Sequence, residues 1–288
     1  TNHTHHYEIL NDITKLVQQH GLRARVHTLT DVRAVSWLTD GNHWRIAGAQ
    51  PTAGRSFLSN SGVVVLCTNR RLGRPRELTY AGEDVFRGQV AHGVAYRSDS
   101  LRCDNERVVV LGMGAFAIEL MRTSFERRAA HVTLLCRQRG VVSPQMLDWL
   151  RFVRPYDVNF RTDRAGDAIV FAKWQRLYKD AGVATPECWA QGLVKPDGHT
   201  LSVSDIFFVS HRLRMLETRL GLVTKLTETE VHSDTGEQLP AGILIKCVGF
   251  EINEGNERLL GRSHNLTQPG MWIIYEPHLD SSMFHNLV

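Results

Sequence analysis

The stretch that decides the fold is RVVVLGMGAFAIELMRTSFERR, Arg107–Arg128. It joins the apolar, β-branched run Val108 to Leu111 to a helical pattern through the tripeptide Gly-Met-Gly. A second apolar run, HVTLLC at 131–136, follows after a few polar residues. Strand, tight turn, helix and strand in this order predict a βαβ unit and, with it, an α/β fold.

The turn itself, Gly112-Met113-Gly114-Ala115-Phe116-Ala117, fits the pattern GxGxxG/A. Gly112 permits the tight turn, Gly114 lets the backbone approach a pyrophosphate, and Ala117 is small enough for the helix to pack on the sheet. The turn therefore predicts a dinucleotide site. A glycine-rich strand–helix turn without a ligand is the alternative.

The second strand is followed by Arg137 and Arg139, in RQRG, where an NAD-binding unit usually has an acid. A guanidinium suits a 2′-phosphate, because its fork donates two parallel hydrogen bonds. NADPH is therefore favoured over NADH. Two solvated loop arginines are the alternative.

Composition and charge narrow the function classes. The chain has 288 residues with a net charge of +4 and a pI near 8.9. No long basic run is present, so a small phosphate-bearing ligand is favoured over nucleic acid. The five Cys form no CxxC pair, which predicts neither a disulfide framework nor zinc, and places the chain in a reducing intracellular compartment.

No apolar run approaches the roughly 18 residues of a membrane span, and no signal peptide is visible. The tract HTHH at the start is interpreted as a frayed terminus, and EPHLD around His278 as a polar loop, rather than as metal sites.

The remaining patterns predict an alternation of helices and strands. Helices are expected at 7–20, 166–182 and 202–221, and strands at 25–37, 43–49, 54–60, 62–68, 224–233 and 241–250.

A linker precedes the dinucleotide turn. FRGQVAHGVAYR, Phe86–Arg97, matches FxGxxxHxxx(Y/F)(K/R) and resembles the fingerprint of the flavin-containing monooxygenases, the class B flavoenzymes. That family places this linker just before its NADPH-binding turn, as here. Tyr96 stands where the Baeyer–Villiger version usually has Trp, so the resemblance leans to the flavin-containing or N-hydroxylating branch.

Two further segments resemble the family. VVVLCTNRRLGRP is similar to its "CTG…P" segment, where the chain leaves the FAD domain, and ILIKCVGF is similar to its "ATGF/CTGF" strand, where the chain returns. The resemblance runs from about residue 7 to about residue 280. It implies a two-dinucleotide-binding-domain flavoprotein, with a partial FAD domain and hinge linker at 1–97, a Rossmann-like NADPH domain at 98–235, and a return to the FAD domain at 236–288.

The resemblance implies three groups of site residues and no identified catalytic residue. The residues expected to hold NADPH are Gly112, Gly114, Ala117, Arg137 and Arg139. Those expected to form the hinge are Phe86, Gly88, His92 and Tyr96. Those expected to approach the flavin are Cys67, Thr68, Asn69, Gly249 and Phe250. The implied reaction uses NADPH and FAD to insert one oxygen atom into a soft nucleophile, sulfur or nitrogen, of a small substrate.

The sequence also departs from the family. It has a single GxGxx(G/A) turn, without the family's N-terminal FAD turn, and carries Asn69, Val248 and Lys246 at positions where the family differs. These departures motivate a second hypothesis, a non-catalytic scaffold or assembly subunit that has lost FAD and buries Trp272 and Ile274 against a protein partner. A pyridine-nucleotide disulfide reductase would need a redox Cys pair, which the chain lacks.

Overall fold

The computed structural model describes residues 6–38, 40–67, 74–94, 100–145, 147, 165–191, 201–251 and 255–260. The chain divides into two compact units, one of residues 75–250 and one of residues 1–74 with 251–288. The cofactor-domain boundaries at 97/98 and 235/236 stay predictions.

The larger unit is built on a parallel five-stranded sheet. The strands are β4 (Gln89–His92), β5 (Arg107–Leu111), β6 (His131–Cys136), β9 (Leu216–Leu220) and β13 (Ile243–Lys246). Their order in the sheet is β4-β13-β5-β6-β9, and every neighbouring pair is parallel.

The predicted βαβ unit is confirmed. Helix α2 (Ala115–Glu126) connects β5 to β6 and buries Ala117, Ile118 and Met121 against the sheet. The three central strands, β13, β5 and β6, are buried on both faces, which explains their continuous apolar runs. The fold is α/β with a Rossmann-like arrangement, as the sequence predicts.

An aromatic cluster covers one face of the sheet. It lies on α3 (Ala165–Ala181), α4 (Glu187–Ala190) and α5 (Asp205–Arg212). Trp174 Nε1 donates to the Val142 carbonyl at 2.8 Å, and the Tyr178 hydroxyl accepts from the Val142 amide at 2.9 Å. These bonds fix the short strand β7 (Val142–Ser143), which pairs with β8 (Ser202–Val203).

The helix predicted at 202–221 is wrong in its second half. Helix α5 ends at Arg212, and Arg214 adopts a left-handed φ of 60° while the Met215 amide donates back to the Ser210 carbonyl. This is a Schellman-type helix end. The following residues form β9, because the edge of β6 offers a partner strand that helical spacing alone does not reveal.

Three short strands cover the opposite face as an antiparallel sheet. They are β10 (Val223–Leu226), β11 (Glu230–Ser233) and β12 (Gln238–Pro240). The single strand predicted at 224–233 is therefore a hairpin, closed by the Thr227 amide donating to the Glu230 carbonyl.

The smaller unit holds helix α1 (His6–Gln19), an antiparallel sheet of β1 (Asp31–Leu38), β2 (His43–Gln50) and β3 (Arg55–Ser61), and helix α6 (Gly255–Leu260). The predicted α1 and the strands predicted at 43–49 and 54–60 are confirmed, whereas the strand predicted at 25–37 begins only at Asp31. The strand predicted at 62–68 is wrong over its described part, 62–67, where Val63 and Val65 are each 70% exposed. An apolar run forms a buried strand only where both of its faces are covered.

Candidate functional site

The dinucleotide turn lies at the carboxyl end of β5. Gly112 has a φ of 105°, and its amide donates to the Leu135 carbonyl of the next strand at 2.8 Å. A Cβ at Gly112 would lie 2.7 Å from the Cys247 carbonyl oxygen. Both the backbone conformation and the packing therefore require glycine here.

Gly114 leaves open space where a ligand would lie. It is the N-cap of α2 in extended conformation, and a Cβ built on it meets no heavy atom within 4 Å. Helix N-termini attract anions through their free amides and the helix dipole. Ala117, one turn on, is fully buried against the sheet. These three positions fit a dinucleotide pyrophosphate.

The linker reaches the same edge of the sheet. His92 ends β4 at the register of Lys246 in β13, and Lys246 in turn pairs with Leu111 in β5. The next linker residue, Gly93, has no room for a side chain, because a Cβ there would lie 2.4 Å from Cys247 Sγ. Linker and dinucleotide turn therefore flank one strand, an arrangement that sequence order does not show.

His92 carries an unpaired nitrogen at this edge. Its Nδ1 is buried and has no hydrogen-bond partner among the described residues. A buried imidazole nitrogen without a partner is costly, so His92 remains a candidate for contact with a bound cofactor.

Gly249 and Phe250 also lie beside the start of α2. Gly249 has a φ of 85°, and the Phe250 ring packs 5.2 Å from the Phe116 ring on that helix. Gly249 and Phe250, two of the residues expected to approach the flavin, therefore lie next to helix α2 in the larger unit.

The two arginines after β6 differ. Arg139 donates through its backbone amide to Glu187 Oε2 at 3.1 Å, and its guanidinium pairs with Glu187 Oε1. Arg137 is exposed and forms no bond with any described residue. Arg137 is therefore the arginine that is available to a phosphate.

Phe86 and Gly88 lie at the other end of β4. The Phe86 ring is buried in the core between the two sheets. A Cβ at Gly88 would lie 2.4 Å from the Gly242 carbonyl oxygen. Packing alone accounts for both residues. Cys67 is an exposed residue of the smaller unit, and Thr68, Asn69 and Tyr96, like Trp272 and Ile274 of the second hypothesis, fall outside the described residues.

An ion pair that the sequence does not predict lies at the carboxyl edge. Lys246, only 3% exposed, donates through Nζ to Glu83 Oε1 at 2.5 Å and to the Leu78 carbonyl at 2.6 Å. The one signal in the sequence is a lysine in an otherwise apolar strand, which indicates a buried acid without saying which one.

A cavity of about 360 Å³ lies along the edge strand β9, with His211 and Thr218 in its lining. His211 Nε2 lies 3.2 Å from Thr218 Oγ1, and its ring packs edge-on against Phe207. Burial lowers the pKa of His211 from 6.5 to about 4, against the opposing charge of Glu217.

The lowered pKa of His211 leads us to expect a loss of stability in mild acid. In the unfolded chain His211 takes up a proton near pH 6.5, but in the folded chain only near pH 4. The stability that depends on neutral His211 is therefore complete above pH 6.5 and is lost as the pH falls towards 4. We expect the free energy of unfolding to fall by about 2–3 kcal/mol over this window from His211 alone. Urea unfolding of the unmodified chain and of His211→Asn, each at pH 7 and at pH 4.5, measures this fall in the free energy of unfolding. An unchanged pH dependence in the variant would contradict this assignment.

Comparisons with known proteins agree with the geometry. No family model matches the chain. The probable FAD-binding monooxygenase AlmA of Acinetobacter baylyi is 25% identical over 271 residues, covering 83% of this chain and 53% of that protein. The FAD-containing monooxygenase EthA of Mycolicibacterium smegmatis is 31% identical over 283 residues, covering 85% and 54%. The chain thus spans about half the length of the curated relatives it matches.

Solved structures show the same fold. An open crystal structure of cyclohexanone monooxygenase superposes with a TM-score of 0.55 at 17% identity, covering 88% of this chain and 60% of that one. The cyclohexanone monooxygenase of Rhodococcus sp. Phi1 bound to NADP⁺ gives a TM-score of 0.52 at 16% identity, covering 88% and 57%.

The fold is thus that of these monooxygenase structures, an α/β arrangement on a Rossmann-like parallel sheet. The sequence matches assign the chain to the flavin monooxygenases, the family that its linker resembles. No helix in the described part of the chain is both long and apolar enough to cross a membrane.

Proposed function

We propose that this chain is the NADPH-binding part of an FAD-dependent monooxygenase, with the nucleotide lying across the carboxyl edge of β13, β5 and β6. The observation that carries this proposal is the meeting of the linker and the dinucleotide turn on either side of β13, with open space at Gly114. Ligands of open parallel sheets bind at this edge, where the chain connections diverge.

The residues present have separate tasks in this proposal. The amides of the first turn of α2 bind the pyrophosphate, Arg137 binds the 2′-phosphate, and His92 orients the nicotinamide end. NADPH, when bound, supplies a hydride and the flavin supplies activation of oxygen. The described residues identify no general base.

The oxygen acceptor that we propose is a sulfur or nitrogen atom of a small molecule. The linker's Tyr96, in place of Trp, supports this choice. NADPH consumption by the full-length protein, with a thioether, a tertiary amine and a cyclic ketone in parallel, tests it. Turnover with the ketone alone would overturn the proposed acceptor while leaving the monooxygenase class intact.

The scaffold hypothesis makes the opposite prediction for flavin. One departure that motivated it, Lys246, is explained inside the larger unit by its pairing with Glu83, and so does not argue for loss of FAD. The absorption spectrum of the protein from its native source separates the two hypotheses. Flavin bands at about one flavin per chain would exclude the scaffold, and their absence would exclude the oxygenase for this chain.

The unequal environments of the two arginines give a prediction for nucleotide choice. Arg137→Ala should weaken NADPH binding by about tenfold, since it removes charge-assisted hydrogen bonds to the 2′-phosphate. NADH binding should not change. Arg139→Ala should affect NADPH less, because Glu187 already occupies its guanidinium. Titration calorimetry with both nucleotides measures these effects.

Two results would revise this assignment. A larger loss of NADPH affinity in Arg139→Ala than in Arg137→Ala would mean that the Glu187 pair opens on binding. Equal affinity of the unmodified chain for NADPH and NADH would show that neither arginine selects the 2′-phosphate.

A further inference from the structure

We propose that Lys246 and Glu83 form a buried clasp that positions the linker strand β4 against the dinucleotide turn. Lys246 thereby acts as a positioning residue for nucleotide binding. This role rests on the proposed NADPH function and adds a residue pair that the linker and turn motifs do not contain.

Lys246 contacts both ends of the segment 78–93, which leads into the linker. Its side chain holds the beginning of the segment, through the Leu78 carbonyl and Glu83 Oε1. Its backbone holds the end, since its carbonyl accepts from the Gly93 amide at 2.8 Å and its register partner is His92. One residue therefore joins the two ends of the segment 78–93, whose middle is held by backbone hydrogen bonds at Ala81, Arg87 and Gln89.

The same residue adjoins the dinucleotide turn. On its other side Lys246 pairs with Leu111, and the next amide, of Cys247, donates to the Leu111 carbonyl at 3.0 Å. The Cys247 carbonyl lies within reach of any Cβ placed on Gly112. A shift of β13 would therefore move both the linker and the turn.

Hydrogen bonds fix the positions of both charged groups of the clasp. The ammonium has two oxygen acceptors and lies 5.6 Å from the centre of the Tyr80 ring. Glu83 is held in turn, because its Oε2 accepts from the Tyr80 amide at 3.0 Å. A buried ion pair with each charge hydrogen-bonded resists displacement, since moving one partner exposes the other to an apolar environment.

Charge at this edge supports the pairing. Burial alone would raise the pKa of Glu83. The hydrogen bonds from Lys246 and the Tyr80 amide, together with the charges of Lys246 and His92, outweigh burial and hold that pKa below its ordinary value. Glu83 is thus the carboxylate that compensates the buried lysine.

The test separates positioning from charge compensation. In Glu83→Gln, a buried ammonium loses its counter-ion, so the thermal midpoint should fall. In the double variant Lys246→Met with Glu83→Leu, an apolar pair of similar size replaces the ions, and the thermal midpoint should return to near the unmodified value. In this stable double variant we expect hydrogen exchange of the Gly93 amide to be about tenfold faster than in the unmodified chain. We also expect the double variant to bind NADP⁺ more weakly than the unmodified chain does.

Unmodified exchange at Gly93 in the double variant would overturn the clasp, because the pair would then only compensate charge. If the double variant does not fold, Glu83→Asp decides, since it keeps the charge but shortens the reach; unchanged exchange at Gly93 would again overturn the clasp. Exchange is measured without nucleotide, so failure of the unmodified chain to bind NADP⁺ would count against the proposed function alone.

Discussion

Gly114→Ala should leave the fold intact and weaken NADP⁺ binding by about tenfold or more. The added methyl group meets no protein atom within 4 Å, and the φ of −88° at this residue suits alanine. Folding therefore has no reason to suffer. The methyl group would, however, occupy the open space over the N-terminus of α2, where the pyrophosphate must approach the backbone closely.

The neighbouring glycine is the matched control. Gly112→Ala places a Cβ 2.7 Å from the Cys247 carbonyl oxygen at a φ of 105°. Backbone strain alone should cost about 1–3 kcal/mol, so this variant should lose stability as well as binding. Urea unfolding and fluorescence titration with NADP⁺, applied to both variants, separate the two effects.

A single result would remove the site from this turn. If Gly114→Ala binds NADP⁺ as the unmodified chain does, no pyrophosphate lies on the N-terminus of α2. The turn would then be a structural feature of the sheet, the alternative that the glycine pattern leaves open.

Trp189→Ala should lower the free energy of unfolding by about 3–5 kcal/mol. The side chain is buried at the centre of the aromatic cluster, with ring centroids 4.9 Å from Phe171, 5.4 Å from Trp174 and 4.8 Å from Tyr178. Its removal leaves a cavity that these rings fill only in part, and the loss of transfer energy adds to that of packing.

The same substitution should also loosen the ion pair between Glu187 and Arg139. Trp189 lies on α4, the helix that also carries Glu187 and so holds Arg139. Ile169→Ala on α3 is the control, because that side chain is 61% exposed and its loss should change stability by less than about 0.5 kcal/mol. Comparable losses in the two variants, measured by urea unfolding, would show that the cluster does not carry the stability assigned to it.

The central βαβ unit was predictable because its signals are local. A β-branched run, a Gly-x-Gly turn and a helical apolar stripe each lie within a few residues of one another. β9 was not predictable, because Leu216 to Leu220 become a strand only beside β6, a partner some 80 positions earlier in the chain. The strand predicted at 62–68 is wrong over 62–67 for the converse reason, since nothing in the described residues covers both faces of that run.

The candidate site divides in the same way. The positions of Gly112, Gly114 and Arg137 could be predicted, because each depends on the turn or on the strand that it follows, while their roles in binding stay predictions. The difference in pairing between Arg137 and Arg139 could not be predicted, because Glu187, which pairs with Arg139, lies far along the chain. Phe86 and Gly88 share the linker motif with His92, yet the length of β4 places them at the opposite end of the sheet.

The sequence by itself determined the flavin monooxygenase family, the α/β class and the position of the dinucleotide turn, because short motifs with fixed geometry carry these properties. Only the tertiary structure decided that β13 inserts between the linker and the turn, and that Lys246 finds its counter-ion in Glu83. The physical reason is that a buried charge must be compensated by whichever partner the fold brings near, and proximity in a parallel sheet joins residues that are distant in sequence.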